Sequence, residues 1–528
     1  MRDVSYFAHS PAAKNWEGIS LSPHHGFSVP LFSIHSERSN GIGEFPDLFL
    51  LCDWCKSLGF DIIQLLPLND PGMGISPYST ISAFALNPLY IGLSFLPFLE
   101  KHQNIRQELE AIPKFSRASQ VDYEKVRESK EKFLRHYFSE VGKDVLQQKE
   151  FTEFIGKANH WLRSYAAYKI LKKKNGESVW ENWPATERIP DTHLIDQICD
   201  EYKKEYDWEC FLQFICDLQM RAVKSYASKQ GILLMGDIPI LIDRDSADVW
   251  MHQELFNFDY GAGSAPDMYS DEGQNWGFPI YRWESMENRD HLWWRQRLQW
   301  ATPYYHIYRI DHIVGFFRIW SIPYGCTAKE GQYIPQDRKI WIDHGQKILF
   351  MMLQASNMLP IGEDLGDVPP EVKEALSTLG ICGTRVMRWE RKWEKNGEFI
   401  LPSDYAIDTV TTVSTHDSEN VQNWWGAEPL EAKLFADCKG WSYHPILSRE
   451  YLREILWDSH HTRSLFHINP LQEYLALIPG LTWAEPENER INIPGVVSEH
   501  NWRYRLRPSI EELASQPALL HIMKELIQ

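Results

Sequence analysis

Short apolar runs that end on polar or acidic residues recur along the chain: DIIQLLPL at 61–68, GILLMGDIPI at 231–240, HIYRID at 306–311, LPIGED at 359–364, GTRVMRW at 383–389 and TVTTVSTHD at 409–417. Each has the length and composition of a strand. Between them lie stretches with helical spacing, such as PPEVKEALSTLG at 369–380, which opens on prolines suited to a first turn and stops at a glycine. Strand alternating with helix over hundreds of residues predicts βα units on a parallel sheet. Periodicity leaves two α/β architectures open, a doubly wound open sheet and a closed barrel.

Between about 98 and 207 the alternation stops and the pattern turns helical and charged. In VDYEKVRESKEKFLRHYF, Val126, Phe133, Leu134, Tyr137 and Phe138 fall on one stripe. The helical pattern continues through FIGKANHWLRSYAAYKILKKKNG, with Lys172, Lys173 and Lys174 at an exposed helix end, as far as Trp180 and Trp183. No Pro/Gly/Ser-rich linker or low-complexity tract divides the rest. The prediction is one catalytic body over 1–528 with a helical subdomain inserted at 98–207.

Composition narrows the function classes. Among 528 residues, 54 Lys and Arg stand against 72 Asp and Glu, a formal charge of −18. That disfavours nucleic acid and anionic membranes as partners. At 43% hydrophobic and 24% charged the chain has a packed globular composition. The 22 Trp, 23 Tyr and 25 Phe follow no repeat, and flat rings suit the faces of sugars. The first residues lack the apolar stretch of a secretory signal and no run of 18 apolar residues occurs, so a soluble cytoplasmic protein is expected.

Other motifs carry little chemistry. The eight cysteines are scattered and predict free thiols, with Cys52 and Cys55 on the apolar side of a helix beside Leu48, Leu51 and Leu58. The pairs His24-His25 and His460-His461 lack metal-ligand spacing and are expected in solvated loops. Gly41-Ile42-Gly43 lacks the remaining glycine and the Lys-Ser/Thr of a phosphate-binding loop. Trp293-Trp294 reads as a packing or rim element.

The acids at three strand ends are different. Asp311, Glu363 and Asp417 are spaced 52 and 54 residues apart, intervals that suit βα units. A parallel barrel gathers the C-terminal ends of its strands on one face, where carboxylates from separate strands converge. Neighbouring carboxylates push one pKa up and leave the other ionised, the equipment of glycoside chemistry. Arg309, two residues before Asp311, shares its face of the strand and favours its ionised form.

YRIDHIVGFFRIW, LPIGEDLGD and STHDSEN resemble the three core motifs of the 4-α-glucanotransferases, the amylomaltases or disproportionating enzymes related to the α-amylase superfamily. SPYSTISAFALNPLYI (76–91), MGDIPILIDRDSADVW (235–250), GSAPDMYSDEGQNWGFPIY (263–281) and INIPGVVSEHNWRYR (491–505) resemble further family segments in family order. The likeness runs from about residue 18 to 507 and is weakest over the helical insert.

What the resemblance implies is a (β/α)8 TIM barrel with helical insertions, needing no cofactor or metal. It implies Asp311 as nucleophile, Glu363 as acid/base and Asp417 as transition-state stabiliser. Arg309 would orient Asp311, and His416 would bind donor hydroxyls. Tyr78, Asp267, Gln274 and Trp276 fall in segments that resemble sugar-binding loops, while Asp237 reads as structural. The implied substrates are α-1,4-glucans, maltose and maltooligosaccharides, with glycogen a candidate acceptor, and the implied reaction is retaining transglycosylation. A hydrolase with the same acids and a non-catalytic glycan-binding barrel are the alternatives. Met268 and Phe278 replace the Tyr and Asn of many members, which puts the glucan-length preference in question. GQNWGFP and RIDHIVGFFRIW lie nearer the branch of the plant cytosolic disproportionating enzyme, although this chain leaves no room for that enzyme's N-terminal starch-binding domains.

Overall fold

The computed structural model describes residues 3–112, 114, 118–266, 271–393, 397–496 and 498–528. Its strands are β1 His24–Ser28, β2 Ile62–Gln64, β3 Leu233–Ile238, β4 Phe256–Ser264, β5 Gln274–Tyr281, β6 Ile307–Ile310, β7 Ile319–Pro323, β8 Gln332–Ile334, β9 Leu359–Gly362, β10 Gly383–Val386, β11 Thr409–Thr412 and β12 Phe466–Pro470.

Eight of these pair in parallel in the order β1-β2-β3-β6-β9 and, from the other side of β1, β12-β11-β10. The remaining seam closes where Gly362 N–H donates to Cys382 O at 2.8 Å, beside a parallel bridge from Ile361 to Cys382. The sheet is therefore a closed (β/α)8 barrel, which settles the choice that periodicity left open. Every residue of β6, β9, β11 and β12 is buried, as helices outside and packed side chains inside require. Close strand contact demands a glycine at one point in particular. A Cβ on Gly26 of β1 would lie 2.3 Å from Ile62 O and 2.8 Å from Ile62 Cβ on β2.

The helix expected at 369–380 spans Pro370–Leu379 and stops at Gly380, whose φ of +80° is the left-handed conformation a glycine adopts freely. Cys52 and Cys55 are buried in the helix Asp47–Leu58. The aromatic surplus goes largely into packing: Trp180, Trp183, Trp293 and Trp294 are all buried. Three of the four paired histidines depart from expectation; His461, just past a helix end, does not. His24 and His25 begin β1, and His460 ends the buried face of the helix Arg449–His460, which packs against β11. His24 pairs with Asp61 at 2.6 Å and stacks on Phe466, and His25 Nδ1 lies 2.9 Å from His460 Nδ1. Polar ring edges find partners while the apolar ring bodies are buried, which a count of polar residues does not foresee.

Between β2 and β3 the chain runs through the helices Gln103–Ala111, Tyr123–Leu146, Lys149–Ala158, Leu162–Lys174, Thr192–Glu201 and Lys203–Gln230. Val126, Phe133, Leu134 and Tyr137 are buried, and Phe138 packs against them half-buried. Lys130 on the same helix is also buried; its ammonium reaches Leu89 O at 2.7 Å, Ile91 O at 2.8 Å and Glu44 Oε1 at 2.6 Å. Full pairing of this kind is what lets a charge leave water. Position 207 falls inside the helix Lys203–Gln230, which runs on to the start of β3. No helix among the described residues is long and apolar enough to cross a membrane.

A second sheet, antiparallel in the order β5-β4-β7-β8, leaves the barrel on either side of β6. Gln274 and Trp276, expected on a loop, lie on β5, and Gly263 of β4 faces Asn275 there, where a Cβ would meet Gln274 O at 2.0 Å.

Gly26→Ala is expected to cost about 2 kcal/mol or more, because the backbone of β2 cannot yield without breaking the barrel ladder. A urea midpoint equal to wild type would contradict that account of the seam.

Candidate active site

The barrel ladder sets the positions of the first two acids. Asp311 follows β6, its N–H donating to Ile238 O at 3.3 Å, and Glu363 follows β9, its N–H donating to Ile310 O at 2.9 Å. Both carboxyl groups thus stand at the C-terminal mouth. Parallel register sets Asp237 of β3 opposite Arg309 of β6. Arg309 Nη1 donates to Asp237 Oδ2 at 2.7 Å and to Asp311 Oδ1 at 3.0 Å, while Nη2 stands 3.9 Å from Glu363 Oε2. Tyr78 O–H donates to the same Asp237 Oδ2 at 2.7 Å. One guanidinium gathers three carboxyl groups from three strands.

The third acid sits differently. β11 ends at Thr412, and Asp417 lies five residues further on, in a loop rather than at a strand end. The ladder stops because Val413 N–H turns to Asn469 Oδ1 at 2.9 Å, and Thr412 Oγ1 donates to Ser414 O. Asp417 Oδ2 is 3.3 Å from His416 Nε2, and Asp417 Oδ1 accepts from Asn492 Nδ2 at 2.7 Å. The Tyr78 ring stacks on His416 at 5.3 Å and 12°, with Trp502 tilted 5.5 Å from Tyr78. Tyr78 links the two halves of the site, touching Asp237 with its hydroxyl and His416 with its face.

Environment separates the carboxyl groups electrostatically. Burial pushes Glu363 up to about 7; the nearby charge of Arg309 opposes this, and that of Asp311 adds to it. The His312 and Leu365 N–H groups hold its two oxygens at 2.8 and 3.1 Å. Burial likewise raises Asp237 to about 6 against the pull of Arg309. For Asp417 burial works upward but loses to His416, then to the Asn492 amide and Arg309, so its carboxyl falls to about 2. His416 is raised in turn, since Asp417 outweighs the effect of burial on the imidazole. Glu363 is therefore able to hold a proton at neutrality, as a general acid must, while Asp417 stays ionised.

The second sheet supplies one wall. Trp276 meets the His312 ring edge-on at 5.0 Å and 86°, and its Nε1 donates to Gln274 Oε1 at 3.1 Å. His312 has φ +46°, a costly conformation for a residue with a side chain, at the turn directly after Asp311. Phe278 is half-buried two residues along β5. Asp267 and Met268 lie outside the described residues.

Asn492 and Trp502 received no role from sequence. Both lie in the INIPG to NWRYR segment, and only its folding over the mouth brings Asn492 to a residue 75 positions away. Asp237 was read as structural; its fully buried carboxylate holds Arg309 in place and touches Tyr78. Among the described residues no group of three or more His, Cys, Asp or Glu side chains is arranged to hold a metal ion.

A carboxyl group raised by folding binds protons in the native state, so its contribution to stability is present below its unfolded pKa and is lost as pH rises through the folded value. Glu363→Gln removes that penalty. The variant is expected to gain stability relative to wild type between pH 4.5 and 7, by an upper figure of about 3 kcal/mol, and to hold that gain at higher pH. Urea unfolding of both proteins at pH 4.5 and 8 measures it; a gap that does not change with pH contradicts the raised Glu363.

A family model described as 4-alpha-glucanotransferase matches residues 29–511. A 4-alpha-glucanotransferase of Chlamydia pneumoniae is 44% identical over 516 residues, covering 97% of each chain. A plant 4-alpha-glucanotransferase, from Oryza sativa subsp. japonica, is 27% identical and aligns with 95% of this chain and 69% of its own. The solved amylomaltase from Streptococcus agalactiae in complex with acarbose has the same fold, with a TM-score of 0.81 at 23% identity over 96% of this chain and 98% of that one. With the barrel, the three acids and these matches together, the chain belongs to the 4-alpha-glucanotransferase family.

Proposed function

We propose that this protein moves α-1,4-linked glucosyl or maltooligosyl units between glucans by retaining double displacement. The supporting observation is the pair of unequal carboxyl groups on one guanidinium, Asp311 at 3.0 Å and Glu363 at 3.9 Å from Arg309, with Glu363 raised to about 7. In the first half, an Asp311 oxygen bonds to the anomeric carbon as the glycosidic bond breaks, and the leaving oxygen takes the proton of Glu363. The product is a glycosyl ester on Asp311. In the second half, Glu363 takes the proton of an acceptor 4-hydroxyl, whose oxygen attacks the anomeric carbon and displaces Asp311. Two inversions restore the α configuration, and the sequence balances without a cofactor.

Other residues receive roles by their chemistry. Asp417, kept ionised by His416 and Asn492, faces the positive charge that develops on the sugar ring. His416, raised and therefore a good donor, suits sugar hydroxyls, and Tyr78 suits the ring's apolar face. Gln274 and Trp276, with Asp267, are proposed to line the acceptor path. Met268 and Phe278 lie on that path in sequence, so donor and acceptor length preference is assigned there. Maltose and maltooligosaccharides are the proposed small substrates, and glycogen a proposed acceptor. The eight free thiols suit a cytoplasmic location. The helices between 98 and 207 are proposed as a subdomain that buttresses the barrel through Lys130.

Transfer exceeds hydrolysis only where an acceptor hydroxyl is better positioned than water. Maltose incubated with the enzyme should yield glucose together with maltotriose and longer oligomers; glucose alone would replace this proposal with hydrolysis. Asp311→Asn should lower kcat roughly 1000-fold or more while glucan binding persists, and unchanged turnover would refute Asp311 as the nucleophile. The first half needs protonated Glu363, so kcat/KM should fall about tenfold per pH unit above about 7. A profile flat to pH 9 would remove Glu363 as the acid.

A further inference from the structure

We propose that Arg490 is a positioning residue for Asp417, acting through Asn492 and Glu419 without touching the sugar. This rests on the reading of Asp417 as the group that stabilises the charged ring. The geometry is a closed ring of contacts between two loops. Arg490 Nη1 pairs with Glu419 Oε1 at 2.8 Å, and Arg490 Nη2 donates to Asn492 O at 2.9 Å. Asn492 then donates through its N–H to His416 O at 3.2 Å and through Nδ2 to Asp417 Oδ1 at 2.7 Å. Glu419 lies two residues after Asp417, so the backbone between them completes the circuit.

Asp417 needs such a device more than the other two acids do. Asp311 and Glu363 are fixed directly by the barrel ladder, whereas Asp417 lies beyond the end of β11, on a segment held by side-chain bonds. The circuit replaces the missing ladder. Buried Arg388 adds a second anchor, with Nη2 3.7 Å from Glu419 Oε2, and so draws the outer oxygen of Glu419 inward. At the far end of the segment, Glu473 fixes Val421 N–H at 3.0 Å, so the loop is pinned on both sides of Asp417.

A planar fork holds a carboxylate with one nitrogen and a backbone carbonyl with the other at a fixed angle, whereas an ammonium centre must reach both from a single nitrogen. Arg490 thus fixes the angles of the circuit and is more than a positive charge. If Asp417 acts mainly in the transition state, misplacing it lowers kcat and leaves ground-state binding nearly intact.

The test uses initial rates of glucose release from maltotriose by the full chain. Arg490→Gln should lower kcat roughly 10- to 100-fold with KM within about twofold of wild type, and Arg490→Lys should fall between the two. The double variant Arg490→Gln with Asn492→Ala should be no slower than Asn492→Ala alone, because the effects share one route. Glu419→Gln, at a half-buried position, weakens the same circuit and should give a smaller loss of the same kind; it carries the test if Arg490→Gln does not fold. Unchanged kcat in Glu419→Gln and Arg490→Gln, or losses that multiply with Asn492→Ala, would overturn the proposal. Asp417→Asn separates the two layers: if it keeps full turnover, the role of Asp417 itself fails, whereas an inactive Asp417→Asn beside fully active Arg490 variants sinks only the positioning role.

Discussion

The contact on which the site depends is the guanidinium of Arg309 among Asp237, Asp311 and Glu363. Without it, three carboxyl groups from three adjacent strands would face one another across a mouth largely shut off from water, and each ionisation would oppose the next. With it, Asp237 and Asp311 accept hydrogen bonds from one nitrogen at 2.7 and 3.0 Å, while Glu363 stays just out of bonding range at 3.9 Å. The buried Asp237 carboxyl is raised to about 6 against the pull of that cation, and Glu363, further off, is raised to about 7 by its own burial. The buried partner Asp237 fixes the cation from below and leaves its upper side to the reaction.

The barrel explains why such a cluster can be rigid. Asp237, Arg309, Asp311 and Glu363 belong to, or directly follow, β3, β6 and β9, which are consecutive around the wall. Their relative heights follow from parallel register, and a shift of one residue would turn each side chain to the other face. The helices between β2 and β3 and the antiparallel sheet around β6 are attached to this frame, the first clamped by Lys130 and the second touching the site through Trp276 and His312.

The opposite wall is built on another plan. Asp417, His416, Asn492 and Trp502 come from loops, and side-chain contacts among them replace backbone ladder bonds. Their arrangement is correspondingly a matter of many small agreements: the stack of Tyr78 on His416, the Asn492 amide on Asp417, the Arg490 fork on Glu419. Loops of this kind carry function because they vary without disturbing the frame beneath.

Much of the frame was legible in the chain. Apolar runs ending on Asp311 and Glu363, with Arg309 one strand period before Asp311, state a local pattern, and local patterns survive folding because strand and helix periods are set by the backbone itself. What the sequence left undecided was closure of the barrel, which rests on contacts of Ile361 and Gly362 with Cys382 and Thr384 across the β9–β10 seam. Position relative to water was equally out of reach: His24, His25 and His460 read as surface residues, and only packing against Phe466 and one another shows His24 and His460 buried and His25 half-buried. The same holds for Asn492. A side chain that meets its partner across 75 residues leaves no trace in the spacing of its neighbours. The chain alone determined which groups are present and on which face of each element they lie. Tertiary structure decided which of them meet, because charge, burial and hydrogen bonding depend on distances that only the folded chain sets.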